Sequence, residues 1–410
     1  MKRYEDLSPS LRCIMTPGPV EVDPRVLRAM SFPVLGQFDP EFTGIMNETM
    51  EMLRDLFVTD NQWAFPVDGT SRSGIEAAMV SLIAPGDRVL IPIFGRFGHL
   101  LHEIAERCGA EVLTLEKEWG CVFDPEEVIA AMKSFKPDIV AIVHGETSTG
   151  RVQPLAGIGR ACREQDALLI VDAVATIGGV PVETDAWMLD AVIGGTQKCL
   201  SIPSGMAPVT YNARAEAKLL KRKRVERGLR TGEVQAEALD FVRSNYFDLG
   251  MLQDYWSPQR LNHHTEMTSM LYALREGLRL VLEEGLEARH ARHALHEAAL
   301  VAGLTAMGLK LYGDPQSKLT VVTCVLIPEG VDGEAVRTML LERFGIEIAS
   351  SFGPLKGRIW RIGTMGFSCR ENNVLRLLGA LEGALLRHGH AVPAGLGVQA
   401  ALDVYDAKVR

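Results

Sequence analysis

The chain has 410 residues, of which 47% are apolar and 23% charged, and its formal net charge is −9. This length exceeds what a single hydrophobic core usually holds, so we expect two domains. The acidic balance argues against a dedicated nucleic-acid-binding protein. No apolar run reaches the length of a membrane span, and no secretory leader follows Met1, so a cytoplasmic protein is expected.

Cysteine and histidine spacing indicates neither a disulfide framework nor a metal site. The seven cysteines are scattered and never spaced C-x-x-C, which is typical of free thiols in a reducing compartment. His290, His293 and His296 recur at every third residue, but no carboxylate or cysteine pattern accompanies them. We therefore expect these histidines to form a solvated helix face, and we predict no metal site.

Residues 60–212 alternate short β-rich runs with amphipathic helical stretches. The predicted strands are 88–93, 111–116, 138–143, 167–172, 190–194 and 207–211. The predicted helices between them include 74–83, 97–108, 125–134 and 155–164. This alternation predicts an α/β fold with a mostly parallel sheet covered by helices.

A smaller α+β domain is predicted after Gly285. That glycine is a stop signal for a long helix predicted at about 265–284. The elements predicted beyond it are helix 287–307, strand 319–327, helix 333–343, strand 359–363 and helix 371–388. We therefore divide the chain into an N-terminal segment 1–20, a large domain 21–285 and a small C-terminal domain 286–410.

Two neighbouring strands of the predicted sheet lead to titratable residues of opposite charge. Strand 167–172 ends on Asp172, and strand 190–194 is followed closely by Lys198. Open α/β sheets bind ligands beyond the carboxyl ends of their strands, so one crevice could hold both residues. A lysine amine can hold the aldehyde of pyridoxal phosphate as a Schiff base, while a carboxylate keeps the pyridine nitrogen protonated. The pair predicts a pyridoxal-phosphate enzyme, whereas either residue alone would suggest a surface lysine or a helix cap.

The remaining candidates for the cofactor lie in turns after predicted strands. Residues 68–74 form a Gly/Ser/Thr-rich turn before a helix, where Thr70, Ser71 and Arg72 could bind the phosphate. Phe94, at the end of strand 88–93, could stack on the pyridine ring, although core packing is the usual role of a lone aromatic there. In one further turn, the hydroxyl groups of Thr147 and Ser148 could bind the cofactor or the substrate. In another, Gln197 could assist at the phosphate.

Arg361 is the candidate for the substrate carboxylate. It lies between Trp360 and Ile362 in the small domain. An arginine recognises a carboxylate with two parallel hydrogen bonds, and a structural salt bridge is the competing role.

In this order, these elements resemble the class V aminotransferases of fold type I, in the branch of the alanine–glyoxylate and serine–pyruvate aminotransferases. The resemblance covers nearly the whole chain and rests on the segments 16–20, 144–150, 171–175, 195–198, 262–265, 361–363 and 370–372. It implies that Lys198 forms the Schiff base, Asp172 binds the pyridine nitrogen and Arg361 binds the substrate carboxylate. It also implies a homodimer with the active site at the interface, in which Thr265 reaches the phosphate of the partner subunit.

Two departures from that branch indicate the substrate. Alanine-using relatives carry a tyrosine in place of Asn262 and a Ser-Gly-His run in place of residues 70–72. Gln37 and Asn262 together resemble the (S)-ureidoglycine–glyoxylate aminotransferases of purine and allantoin breakdown. Two side-chain amides can form hydrogen bonds with both the N–H donors and the carbonyl of a ureido group. The resemblance thus implies transamination of (S)-ureidoglycine with glyoxylate, which gives oxalurate and glycine.

Three alternatives remain open at this point. An alanine– or serine–glyoxylate aminotransferase would use the same chemistry with another donor. A lyase or desulfurase of the same fold needs a cysteine nucleophile on a mobile loop, and the sequence offers no convincing one. A non-catalytic module that only binds pyridoxal phosphate is less consistent with Arg361 beside Lys198.

Overall fold

The computed structural model describes residues 4–229 and 240–409. In these ranges the strands are β1 (Cys13–Ile14), β2 (Trp63–Gly69), β3 (Arg88–Ile93), β4 (Glu111–Glu116), β5 (Ile139–Val143), β6 (Gly145–Glu146), β7 (Arg151–Val152), β8 (Leu168–Asp172), β9 (Ala191–Ile193), β10 (Gly205–Tyr211), β11 (Val322–Leu326), β12 (Ile346–Glu347) and β13 (Ile359–Gly363).

The helices of the same ranges are α1 (Pro24–Ala29), α2 (Pro40–Phe57), α3 (Ser71–Leu82), α4 (Arg96–Arg107), α5 (Pro125–Phe135), α6 (Ala156–Glu164), α7 (Ala213–Lys221), α8 (Leu249–Trp256), α9 (Thr268–Glu284), α10 (Leu286–Ala306), α11 (Gly333–Phe344), α12 (Glu371–Arg387) and α13 (Leu396–Val409). None of these described helices is both long enough and apolar enough to cross a lipid bilayer.

A seven-stranded sheet forms the centre of the large lobe, in the order β2-β10-β9-β8-β5-β3-β4. Strand β10 runs antiparallel to both of its neighbours, and the other pairs are parallel. The strands β5 and β8 are buried along their whole length, because helices cover both faces of the sheet. The predicted mostly parallel sheet covered by helices is therefore confirmed.

The apolar core changes from one cluster to another at Gly285. Helix α9, which ends before it, packs Leu271, Leu274 and Leu278 into the core around the large sheet. Helix α10, which begins after it, packs Leu300 into a second core with α12 and α13. The predicted domain boundary falls at this change, and the division into 1–20, 21–285 and 286–410 stays a prediction.

The N-terminal segment adds a strand to the small lobe. Strand β1 pairs in parallel with β12, and the backbone N–H of Met15 donates to the carbonyl of Glu347 at 2.8 Å. The N–H of Gly363, at the end of β13, donates to the Met15 carbonyl at 2.8 Å. Residues 13–15 are therefore fixed to the same lobe that carries Arg361.

The expectation that the three spaced histidines form a solvated face is wrong for two of them. His293 and His296 are buried, because α10 packs against α13 and the segment 366–370. The Nδ1 of His296 lies 2.8 Å from the hydroxyl of Tyr405, and the N–H of Gly366 donates to the Nε2 of His293 at 2.9 Å. Both are satisfied core histidines, a role that a period of three residues cannot reveal.

Candidate active site

The strand register places Asp172 beside the start of the loop that carries Lys198. Asp172 pairs with Val143 of β5 on one side and with Ile193 of β9 on the other. The chain then passes from Ile193 through two buried glycines to Lys198. Because these strands are parallel, both side chains lie at the carboxyl edge of the sheet, as the sequence predicted.

Asp172 is a buried carboxylate with little compensation from the protein. Its Oδ1 accepts one hydrogen bond, from the N–H of Val174 at 3.0 Å. Burial raises the pKa of Asp172 to about 7, against the opposing effect of that hydrogen bond. A carboxylate in this position needs a further donor to keep its charge, and a protonated pyridine nitrogen would supply one.

Lys198 is half-buried, and its amine is covered by the N-terminal segment. Its Nζ donates a hydrogen bond to the carbonyl of Pro17. Burial, and then the charge of Arg361, lower the pKa of Lys198 to about 8. Gly18 has a φ of +96°, and a Cβ there would lie 2.6 Å from the amine. The close approach therefore requires glycine, and it leaves a lysine that is readily deprotonated.

The predicted phosphate-binding residues meet at the start of α3. Thr70 is the N-cap of this helix, and its side chain makes no capping hydrogen bond. The hydroxyl of Ser71 donates to the Oε1 of Gln197 at 2.7 Å. A Cβ on Gly195 would lie 2.7 Å from the same hydroxyl. There is therefore no room for a side chain here, and the backbone of Gly195 can lie close to a cofactor. Arg72 is exposed and points away from the helix start, along the outer face of α3.

The positions of two phenylalanines differ from the sequence expectation. Phe94 is fully buried and packs edge-to-face on Phe123, with ring centroids 6.4 Å apart. Phe97, which sequence reasoning missed, is half-buried in the first turn of α4, beyond the carboxyl end of β3. Its position in the first turn of the helix after the strand, rather than directly at the strand end, is the signal that could have identified it. Phe97 is therefore better placed than Phe94 to meet a planar ring.

Glu146 organises the turn that carries Thr147 and Ser148, and sequence reasoning missed it too. Its carboxylate accepts the Ser148 hydroxyl at 2.6 Å, the Ser148 N–H at 3.0 Å and the Phe97 N–H at 2.8 Å. Burial raises the pKa of Glu146, although these three donors favour its charged form. The turn is thereby tied to the start of α4. A polar turn in the sequence gives no signal for such a network.

Arg361 points from the small lobe into this turn. Its Nη1 donates to the carbonyl of Thr147 at 3.0 Å and its Nε to the carbonyl of Ser350 at 2.7 Å. The guanidinium lies 4.6 Å from the centre of the Phe352 ring, and burial lowers the pKa of Arg361 to about 10. Its Nη2 meets no acceptor among the described residues, so a substrate carboxylate could take that donor.

The other predicted substrate and phosphate residues form a separate group within one chain. The Nε2 of Gln37 donates to the Oδ1 of Asn262 at 3.0 Å. Thr265 is exposed between His264 and Glu266, which lie against Asp68 at the end of β2. In the described ranges, none of the contacts of this group reaches Lys198 or Asp172 of the same chain.

The residues around Lys198 and Asp172 fit pyridoxal phosphate. They provide a half-buried lysine that is readily deprotonated, a buried carboxylate with few hydrogen bonds, and a helix start whose N-cap side chain makes no capping bond. Ring, phosphate and amine partners therefore lie around one edge of the sheet.

Comparison with known proteins agrees with this geometry. Residues 34–357 match the family model described as Aminotransferase class-V. The chain is 67% identical to the (S)-ureidoglycine–glyoxylate transaminase of Bacillus subtilis, over 99% of this chain and 98% of that protein. A crystal structure of ureidoglycine–glyoxylate aminotransferase from Bacillus subtilis superposes with a TM-score of 0.93 at 66% identity, covering 98% of this chain and 100% of that one.

The names of several more distant relatives give alanine as the amino donor. The alanine–glyoxylate aminotransferase of Callithrix jacchus is 35% identical over 92% of this chain and 89% of that protein. The matches extend over both lobes, and they agree with the fit of Lys198 and Asp172 to the cofactor. The chain therefore belongs to the class V aminotransferases, enzymes of fold type I that depend on pyridoxal phosphate.

Proposed function

We propose that this enzyme transfers the amino group of (S)-ureidoglycine to glyoxylate, which yields oxalurate and glycine in purine and allantoin breakdown. The observation that supports this choice of substrate is the Gln37–Asn262 amide pair. The printed name of the relative with 67% identity supports the same reaction.

The amide pair has unused hydrogen-bonding capacity of the kind that a ureido group matches. Within the described part of the chain, the Oε1 of Gln37 is buried without a hydrogen-bond partner. The pair also keeps the two N–H donors of Asn262 Nδ2, since that amide is engaged through its oxygen. A ureido N–H would satisfy the Gln37 oxygen, and a ureido carbonyl would accept from Asn262. The methyl group of alanine could do neither, which would leave the buried amide oxygen unsatisfied.

Each residue of the main site has a role in the proposed reaction. When bound, pyridoxal phosphate supplies an aldehyde carbon that takes up the amino group and a ring that withdraws electrons from the donor's Cα. Asp172 would hold the proton on the ring nitrogen. Arg361 would fix the α-carboxylate of either substrate, and the Nζ of Lys198 would remove the Cα proton as a general base and then donate it as a general acid. Phe97 would stack on the ring, while Ser71, Gln197 and the Thr70 backbone would hold the phosphate.

The amide pair and Thr265 would serve the site of a partner subunit. Within one chain they make no contact with Lys198, yet Asn262 and Thr265 are exposed and accessible to a second copy. A homodimer with its active sites at the interface would bring the pair of one subunit to the Arg361 and Lys198 of the other.

A panel of amino donors with glyoxylate as acceptor tests the substrate. We expect ureidoglycine to be used with a kcat/KM at least about 100-fold higher than alanine or serine, because alanine pairs with neither amide and the single hydroxyl of serine cannot match both. Preferential use of alanine or serine would overturn the proposed donor. The absence of any conversion of the bound cofactor to its amino form with all three donors would contradict catalysis itself.

A further inference from the structure

Three side chains that could ligate a metal converge outside the residues used above. The Nε2 of His264 lies 3.2 Å from the Oδ2 of Asp68 and 3.6 Å from the Oε2 of Glu266. Ligand atoms of all three lie within 4.8 Å of one another. The exposed fractions of the three side chains are 6%, 8% and 0% for Asp68, His264 and Glu266. Water can therefore compensate little of the charge on the two carboxylates.

The partners of this cluster leave its central atoms unsatisfied. In residues 4–229 and 240–409, neither oxygen of the Glu266 carboxylate has a well-formed hydrogen bond, and nor has the Nε2 of His264. The distance from His264 to Asp68 is short enough for a hydrogen bond, but the orientation is not suitable. The ligand atoms of the three side chains are close enough to one another to surround a single ion.

The neighbours of His264 hold its ring in place. The Nε2 of His263 lies 3.2 Å from the carbonyl of Asn245, which can only accept, so this nitrogen carries a hydrogen. The Nδ1 of His263 lies 2.8 Å from the Nδ1 of His264, so one of these two nitrogens donates to the other. The Nε2 of His264 is thereby held near both carboxylates, where one cation could bind all three side chains.

We propose that Asp68, His264 and Glu266 bind a divalent transition-metal cation of the Zn²⁺ type. Two carboxylates balance its charge, and a neutral imidazole is a ligand that Zn²⁺ accepts readily. Mg²⁺ and Ca²⁺ prefer shells made of oxygen alone, so the histidine disfavours them. The separations of 3.2 and 3.6 Å between ligand atoms match metal–ligand bonds of about 2.0–2.2 Å in a tetrahedral arrangement.

The position of the site suggests what the cation does. Asp68 lies near the end of β2, two residues before Thr70, and the other two ligands flank Thr265. A cation at this point would join the loop of Thr265 to the strand that leads into the predicted phosphate-binding turn. Its role would be to position that loop, and it would take no part in the chemistry at Lys198.

Metal content and thermal unfolding of the holoenzyme test this site. After treatment with a chelator, the enzyme is incubated with Zn²⁺ or Mg²⁺ and passed through a desalting column, and bound metal is measured by mass spectrometry. We expect one Zn²⁺ per chain, a higher Tm with Zn²⁺, and neither effect with Mg²⁺. Glu266→Gln keeps the shape of the side chain and should weaken Zn²⁺ binding at least about 100-fold, because even outer-shell partners account for about 10–100-fold.

The matched control is the exposed pair of His102 and Glu106, which are 3.4 Å apart on α4. Glu106→Gln also removes one carboxylate beside a histidine, and it should leave the Zn²⁺ stoichiometry unchanged. If the wild-type enzyme retains no Zn²⁺, a proton shared by Asp68 and Glu266 explains the cluster and the proposal is wrong. Equal effects of Mg²⁺ and Zn²⁺, or equal losses in both variants, would also contradict it.

Discussion

The side-chain amides of Gln37 and Asn262 are joined by a hydrogen bond of 3.0 Å, although 225 positions separate them in the chain. Gln37 lies before α2 and Asn262 lies between α8 and α9, so the contact connects two irregular segments. The bond orients both amides, because it uses the Asn262 oxygen and one hydrogen of Gln37. Each amide thus presents defined groups to a ligand, and neither can rotate without losing the bond.

Removal of this bond should change donor preference more than overall turnover. In Asn262→Ala, we expect kcat/KM for ureidoglycine to fall about 100-fold or more, while kcat/KM for alanine changes about 10-fold at most. Asn61→Ala is the control, since it removes another paired amide, bonded to Thr210 at 3.1 Å. Equal losses for both donors in Asn262→Ala would show that the amide has no role in selection.

Lys198→Ala should abolish the covalent attachment of the cofactor. Treatment with borohydride followed by peptide mass spectrometry is expected to label Lys198 in the wild type and no lysine in the variant. Turnover should fall at least about 10⁴-fold, the upper range for loss of a general acid–base group. Lys221→Ala, at an exposed lysine, provides the control. Labelling of a different lysine in the wild type would contradict the assignment.

The stability of the apoenzyme should depend on pH through Asp172. The raised pKa means that the folded chain binds this proton more tightly than the unfolded chain does, so stability falls as pH rises from about 4 to about 7. A shift from 3.8 to about 7 corresponds to a loss on the order of 4 kcal/mol, at about 1.36 kcal/mol per unit. Asp172→Asn removes the titrating group, so its apoenzyme should lack that loss.

Urea unfolding of both apoenzymes across this pH range measures the difference. Lys198 contributes with the opposite sign, because its lowered pKa makes stability rise as pH increases from about 8 to about 10.5, above the pH range of Asp172. Identical pH profiles of wild type and Asp172→Asn between pH 4 and pH 7 would refute the uncompensated burial of this carboxylate.

Arg361→Lys tests carboxylate recognition. Lysine keeps the positive charge but cannot form two parallel hydrogen bonds, so we expect kcat/KM to fall about 100-fold for every α-carboxylate donor, mainly through KM. Arg358→Lys makes the same change at an exposed residue near the start of β13 and should have little effect. An unchanged KM for both the donor and glyoxylate would exclude Arg361 as the carboxylate ligand.

Shared active sites can be detected by mixing two inactive variants. One variant carries Lys198→Ala, and the other carries Asn262→Ala with Thr265→Val. Random reassociation makes half of the dimers hybrid, and each hybrid has one intact site, so about a quarter of wild-type activity should return. No recovery, with hybrid formation verified by native mass spectrometry, would mean that each subunit uses its own Asn262 and Thr265.

The sequence predicted the framework of the site because strand ends are local features. Asp172 closes an apolar run, and Lys198 follows a short run and two glycines, so a parallel sheet was enough to bring them together. The small-lobe strand at 359–363 was also predicted with its observed limits. A buried strand appears in the sequence as a short apolar run, so the residue that ends it can be identified directly.

Features that depend on contacts between distant segments could not be predicted in this way. The burial of His293 depends on the segment around Gly366, and the role of Glu146 depends on the N–H groups at the start of α4. Asp68 and Glu266 likewise meet only in the folded chain. Each of these residues is polar and, in the sequence alone, resembles an ordinary surface residue.

The backbone of residues 15–17 connects the two groups that must act on one substrate. Met15 is bonded to Gly363, two residues after Arg361 on β13, and Pro17 covers the amine of Lys198. The same three residues thus touch both the strand of the carboxylate-binding arginine and the lysine of the reaction. A deletion or insertion within them would displace both groups at once, so the spacing between the two ends of the substrate is set by this short piece of backbone.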